Sequence, residues 1–341
     1  MTELSARPNF DSLNEAIETE LRAVFESRSE PLYDMMKYQL GWVNEHGIDQ
    51  PVGRSHRMRA LWCLLTCQIL GGDVEKAIAG ASAVELAYEY SLIHDDIQSG
   101  NSERDFRAPV WWLWGPGQAI NAGDGLHALA RLTIFRLVDS GVGPAKVLDA
   151  TRMLDQACLE LCEGQYLELR FQERIDLRQD EYLRMAETRT GSLIGCAAEL
   201  GALVTEATEA QRSAIGKASR SLGVALQIRQ ELDTLWGTQL GAPPTGNILN
   251  KQKFLAIVHA LQNGELKTKR QLGTLYLKRI LEPTDLPQLL SLLEETGAKT
   301  FCSNLAEEIT TQAMQDLHAK GLPIPVCEEF QSAWVALTEA L

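Results

Sequence analysis

Two adjacent aspartates, Asp95 and Asp96, close a long amphipathic pattern, and a polar turn through Gly100 separates them from Arg104 and Arg107. Paired carboxylates on a helix end suit a hard cation such as Mg²⁺, which takes oxygen ligands and keeps several waters. Mg²⁺ bridges in turn to phosphate oxygens. The two arginines can add forked, charge-assisted hydrogen bonds to the same phosphates. The four side chains would together form a clamp for a diphosphate. A solvated acidic helix end followed by a basic loop has the same residue types, and the pair alone does not decide between the two.

A clamp of this kind needs rigid elements behind it. Apolar residues recur at helical spacing, as at Leu21, Val24 and Phe25 and at Leu154, Cys158, Leu161 and Cys162, whereas β-branched alternation is scarce. Breakers at Gly71-Gly72, Gly115-Pro116-Gly117, Gly141–Pro144, 241–246, Glu282-Pro283 and Gly321–Pro325 divide the chain into roughly ten to thirteen helices. No stretch reads as a linker, a repeat or a low-complexity tract, so one all-α domain over residues 1–341 is expected.

Apolar residues make up 45 % of the chain and charged residues 23 %, which excludes collagen-like and largely disordered classes. The formal net charge of −14 argues against a broad nucleic-acid or anionic-membrane surface, though not against a small anionic substrate. Seven cysteines include no CxxC pair, and the i,i+4 pairs Cys63/Cys67 and Cys158/Cys162 read as reduced core thiols. Six scattered histidines supply no zinc motif. The first residues show no basic start followed by an apolar run, and no apolar stretch is long enough to span a membrane. A cytoplasmic protein is expected.

The run Ser91–Gln98 with its arginine loop, then Val110-Trp111 and Gln118–Asp124, resembles the trans-isoprenyl diphosphate synthase (polyprenyl synthetase) family. Cys162–Leu167, Arg189–Ile194, Ala198–Leu203 and Ile248–Lys251 do so too, in the family's order, from about Gly53 to His259. The resemblance implies the all-α isoprenoid synthase bundle around a deep central cavity and, as usual in the family, a homodimer. It implies Mg²⁺-dependent ionisation of an allylic prenyl diphosphate and coupling of the cation to isopentenyl diphosphate. Asp95 and Asp96 are then the metal ligands, and Arg104 and Arg189 act with them on the leaving diphosphate. Arg57, Arg59, His56, Tyr88, Arg107, Gln165, Thr190, Gln227, Lys251 and Lys253 take substrate-binding positions. Tyr90, about one and a half turns or roughly 7 Å before Asp95, falls where a bulky side chain limits chain length.

Many family positions are changed. The first DDxxD motif ends in Ser99, and the second reads Gln230-Glu231-Leu232-Asp233-Thr234. Glu231 and Asp233 remain as acids that could take a metal, but Asp233 does not share the helix face of positions 230 and 234. His56, Tyr88, Gln252 and Asp105 replace a lysine, a histidine, a lysine and an arginine, and Arg189 replaces a lysine. Glu168 stands for an aspartate after the Gly-Gln element. Each loss of a cation or donor weakens one diphosphate subsite, because a diphosphate in a closed cavity needs metals and Lys/Arg around it. The expected function is therefore a terpene synthase of the isoprenyl-diphosphate-synthase type. It would ionise one allylic diphosphate and cyclise or quench the cation. A divergent short-chain trans-prenyltransferase and an inactive subunit paired with an active synthase are the alternatives.

Overall fold

The computed structural model describes residues 10–50, 57–237 and 248–339. His56 and the breaker at 241–246 lie outside the described residues. Among the described residues there are fifteen α-helices and no strand. The two extra elements beyond the expected range have local causes. Gly115, at φ 80°, cuts a five-residue helix away from its successor. A π-helical turn at Glu187–Gly191 divides what reads as one amphipathic run.

The helices are α1 (Phe10–Phe25), α2 (Pro31–Gln39), α3 (Met58–Ile69), α4 (Ile78–Ser99), α5 (Val110–Trp114), α6 (Pro116–Phe135) and α7 (Pro144–Phe171). After them come α8 (Gln179–Ala186), α9 (Ser192–Leu203), α10 (Glu209–Trp236), α11 (Leu255–Asn263), α12 (Leu266–Leu277), α13 (Leu286–Glu295), α14 (Ala298–Ala319) and α15 (Ile324–Glu339). Helix α4 is apolar or small along Ala79–Ala87 at every position but Glu85, and that whole run is buried. A helix without a polar face must be surrounded by others, and α4 packs against α1, α3, α6 and α9. Helix α9 is buried on nearly all sides in the same way.

The two 28-residue helices α7 and α10 flank this centre. Each runs for about 42 Å. Helix α10 starts on a capping box, Thr208 with Gln211, which satisfies its first free amides. A second hydrophobic cluster joins Tyr182, Leu235, Leu255, Leu272, Leu289 and Cys302 from α8 and α10–α14. Helix α15 returns to α3, where Trp62 meets Phe330 and Trp334 edge-on at 4.5 and 4.9 Å between ring centroids. No helix among the described residues is long and apolar enough to cross a membrane.

Candidate active site

The C-terminal turn of α4 carries the two aspartates. Gly100 stops the helix at φ 64°, and the amides of Asn101 and Gly100 return to the carbonyls of Asp96 and Ile97. This glycine-terminated cap fixes where the last turn ends. Residues 104–107 then form a tight hairpin in which Arg104 and Arg107 exchange backbone hydrogen bonds of 2.8 and 2.9 Å. Its two central residues, Asp105 and Phe106, have φ of 50° and 59°. Left-handed backbone at a non-glycine residue costs about 1–2 kcal/mol, and Phe106 remains 80 % exposed. The flanks are pinned: Trp111 Nε1 donates to the Asn101 carbonyl at 2.7 Å, and Tyr38 Oη donates to that of Ala108 at 2.7 Å.

The geometry of the pair differs from an open clamp. Arg104 Nε donates to Asp96 Oδ1 at 2.8 Å, and its Nη2 donates to Asp95 Oδ2 at 2.8 Å. Arg189 Nη2 donates to Asp95 Oδ1 at 3.0 Å, while its Nε pairs with Glu168 Oε2 at 2.8 Å. Gln252 donates to the other Glu168 oxygen. Two guanidinium groups thus neutralise two of three buried carboxylates. Burial works to raise the pKa of Asp95, but Arg189 and Arg104 outweigh it and hold the group below the usual aspartate value. At Asp96 burial outweighs Arg104 and the pKa is raised, and Glu168 is raised for the same reason against Arg189.

Arg189 comes from the π turn between α8 and α9, a local geometry that recurs at functional sites. The turn docks between α7 and α10 on glycines. A β-carbon at Gly164 would stand 2.5 Å from the Arg189 amide nitrogen, and one at Gly223 would stand 2.7 Å from Gly191 Cα. Next to Arg189, Thr190 Oγ1 donates to Gln227 Oε1 at 2.6 Å, and Gln227 Nε2 donates to Glu231 Oε1 at 3.2 Å.

Several expected site residues point elsewhere. Glu231 accepts Tyr182 Oη at 2.6 Å and the Leu255 amide at 2.8 Å, and burial pushes its carboxyl up to about 7. Asp233 is exposed on α10. Neither contacts Asp95 or Asp96, and no group of three or more His, Cys, Asp or Glu among the described residues is arranged to hold a metal. Arg57, 3 % exposed, is consumed inside the protein by Glu18 (2.7 Å), Glu89 (3.0 Å) and the Leu40 carbonyl (2.7 Å). Arg107 stacks 4.0 Å over the Tyr38 ring and donates to the Val43 carbonyl at 3.1 Å. Lys251 caps the end of α12 through the carbonyls of Tyr276 and Lys278 at 3.2 and 2.9 Å. Lys253 is buried against the Tyr276 ring at 4.0 Å and donates to the Gln172 carbonyl at 2.6 Å. Burial lowers its pKa to about 7.

The remaining expected residues have other contacts. Arg59 stacks 3.3 Å over the Tyr88 ring, and its buried Nε has no hydrogen-bond partner among the described residues. Gln165, on the turn of α7 that carries Glu168, donates to the Ser91 carbonyl at 3.4 Å. Tyr90 packs its ring 4.8 Å from that of His127 and lies 4.0 Å from Cys162 Sγ. Glu168, Gln252 and Asn101 are not among the site residues expected from the sequence. The only available signal for the first two was position within the motifs, since a buried acid and an amide have no diagnostic spacing.

The donor chemistry admits a hard cation on this wall. Asp95 and Asp96 offer carboxylate oxygens, and Asp96 Oδ2 is buried with no partner among the described residues. An orphaned carboxylate oxygen is costly unless something supplies a positive or donor group. The donor types of the pair suit a hard cation such as Mg²⁺.

A polyprenyl synthetase family model matches residues 45–293. The geranylgeranyl diphosphate synthase of Mycobacterium tuberculosis is 33 % identical over 84 % of this chain and 82 % of its own length. The (2E,6E)-farnesyl diphosphate synthase of Mycobacterium bovis is 29 % identical over 93 % of this chain and 89 % of its own. Among solved structures, a polyprenyl synthetase from Streptomyces coelicolor superposes with a TM-score of 0.84 at 27 % identity, covering 96 % of this chain and 99 % of that one. A geranylgeranyl pyrophosphate synthetase from Pyrococcus horikoshii gives 0.83 at 26 %, over 97 % and 98 %. The fold is the all-α isoprenoid synthase fold.

Proposed function

The chain belongs to the polyprenyl synthetase family of prenyltransferase-superfamily enzymes, and on that basis we propose that it is a divergent short-chain trans-prenyltransferase. Its substrates are then an allylic prenyl diphosphate and isopentenyl diphosphate. The observation that carries the reading is the joining of the buried Asp95 and Asp96 with the part-buried Arg104 and Arg189 in one hydrogen-bonded cluster. In the reaction the C1–O bond of the allylic diphosphate breaks and its electron pair leaves with the diphosphate. The isopentenyl double bond attacks C1, and loss of one proton from the new unit restores an allylic diphosphate. Arg104 and Arg189 stabilise the charge on the departing group, where preorganised donors act most strongly. Magnesium, when bound by Asp95 and Asp96, supplies further positive charge there.

The terpene synthase reaction expected from the sequence differs in needing no second anionic substrate. Two points favour condensation over it. The relatives over most of the chain are named as diphosphate synthases. Arg59, unlike Arg57, pairs with no carboxylate among the described residues, which supports a cation kept for a second headgroup. A second reading, an inactive subunit that pairs with an active synthase, is favoured by one observation. Three of the four oxygens of Asp95 and Asp96 hydrogen-bond to the protein's own donors or lie among them, and α10 brings no acid to them.

Self-association as a homodimer accords with the apolar side chains left exposed along α6 and α7, including Ile120, Leu132, Phe135, Leu148 and Leu159. Purified protein with Mg²⁺ and geranyl, farnesyl or geranylgeranyl diphosphate, each with and without isopentenyl diphosphate, tests the proposal. An elongated diphosphate formed only with both substrates supports it. A hydrocarbon or alcohol from the allylic diphosphate alone returns the reading to a terpene synthase. Silence in every mixture, relieved by adding an active synthase, establishes the subunit reading.

A further inference from the structure

We propose that the outward face of α12 and the turn after it form a docking surface for an anionic lipid bilayer. The stretch 266–281 carries five cations, Lys267, Lys269, Arg270, Lys278 and Arg279, and no acid, in a chain whose net charge is −14. Helix α12 has two distinct faces. Thr268, Leu272, Leu275 and Tyr276 are buried, and the last three join the second hydrophobic cluster. At about 100° per residue, Leu266, Lys267, Arg270, Thr274 and Leu277 fall on the opposite arc, and all five are exposed. Leu266, Leu277 and Ile280 are 65, 81 and 60 % exposed among the cations. Basic side chains interleaved with large aliphatic ones match anionic headgroups lying over acyl chains. A nucleic acid would use the same cations but would gain nothing from the leucines and the isoleucine.

Two of the five cations are engaged within the protein. Lys278 pairs with Asp285 at 2.7 Å, and Lys269 donates to the Gln262 carbonyl at 2.8 Å. Lys267, Arg270 and Arg279 pair with no carboxylate among the described residues. The acidic remainder of the chain is repelled by an anionic surface, so attraction through this one face also orients the molecule on it. The face lies beside the segment that reaches the Asp95 cluster. Lys251 Nζ holds the carbonyls of Tyr276 and Lys278 at 3.2 and 2.9 Å, and the Leu281 amide donates to the Leu249 carbonyl at 2.9 Å. Within that segment Asn250 donates to the Ser99 carbonyl on the last turn of α4, and Gln252 donates to Glu168. A substrate or product with an anionic head and a long apolar tail partitions into a bilayer, and docking here shortens its path to the cluster. That consequence rests on the reaction proposed above; the docking itself does not.

Flotation of the purified full chain with vesicles tests the inference, using phosphatidylcholine alone and phosphatidylcholine mixed with phosphatidylglycerol. Wild type is expected to bind the anionic vesicles at least ten-fold more tightly than the neutral ones, and to be released by high salt. The triple variant Lys267→Glu, Arg270→Glu, Arg279→Glu is expected to bind the anionic vesicles at least ten-fold more weakly. The double variant Leu277→Ser, Ile280→Ser is expected to lose at least three-fold. All five side chains are exposed, so both variants should melt with wild type. A triple variant that floats as wild type does overturns the inference. So does a serine variant with undiminished vesicle binding; if wild type then binds a duplex oligonucleotide as tightly as the vesicles, the face is a general polyanion surface. Wild type that never floats but still condenses the two diphosphates removes the docking surface and leaves the function standing. Flotation without any condensation does the reverse.

Discussion

Gly164 on α7 lies directly under the backbone of Arg189, close enough that a β-carbon there would stand 2.5 Å from the Arg189 amide nitrogen and 2.7 Å from its Cα. The neighbour is main chain, so it cannot turn aside as a side-chain tip would. Gly164→Ala must push the π turn away from α7 and draw Arg189 off Asp95 and Glu168. Overpacking of this kind costs about 1–3 kcal/mol. Chemical denaturation should show that loss together with at least a ten-fold fall in kcat. Wild-type stability and turnover would mean that the turn does not depend on this contact.

The same contact shows what the sequence could and could not disclose. The all-α class followed from apolar spacing, because a helix needs only local periodicity to declare itself. Asp95, Asp96, Arg104 and Arg189 were legible as a set through motif order. Partner choice was not. Arg57 and Arg59 stand two residues apart with the same chemistry, yet one is enclosed by Glu18 and Glu89 and the other lies on Tyr88. Lys251 and Lys253 flank Gln252, and the neutral residue reaches the cluster while both cations turn to α12 and the end of α7. Which side chain faces inward in an irregular segment depends on backbone turns, here a left-handed Lys251 at φ 64°, that residue type alone does not encode.

Asp95 is the carboxylate that two guanidinium groups share. Asp95→Asn leaves the part-buried guanidinium groups of Arg104 and Arg189 with one negative charge fewer. Removing one partner of a buried ion pair typically costs about 3–5 kcal/mol. The variant should melt markedly below wild type and lose at least a hundred-fold in kcat. A variant that keeps both stability and turnover would remove Asp95 from the site.

Glu85 is a second buried acid with a readable consequence. Burial raises its carboxyl to about 7 against the pull of Arg57, and its Oε2 has no partner among the described residues. A raised acid binds its proton in the folded state at pH values where the unfolded chain has released it. Its stabilising contribution is therefore complete below the ordinary glutamate pKa and is lost as the pH rises through about 7. Glu85→Gln should flatten the fall in melting temperature between pH 5 and pH 8, with the variant the more stable protein at pH 8. Parallel curves for the two proteins would rule out Glu85 as the titrating group.

Lys253 separates a substrate-binding lysine from a structural one. Burial depresses its amine to about 7, and its contacts are the Gln172 carbonyl and the face of Tyr276. For a base lowered by folding, the contribution to stability is present above the ordinary lysine value and disappears as the pH falls through about 7. At pH 6 the folded chain must carry a charge that the site does not solvate. Lys253→Met keeps the length of the side chain and removes that charge, and such replacements of buried ions are often neutral or stabilising by about 1–4 kcal/mol. The variant should melt at or above the wild-type temperature at pH 6, with the difference shrinking towards pH 9. Since the amine faces α12 and not the Asp95 cluster, KM for both diphosphates should stay within two-fold of wild type. A ten-fold rise in either KM would restore the substrate contact that the motif position suggests and would require the 248–254 segment to reorganise when substrate binds.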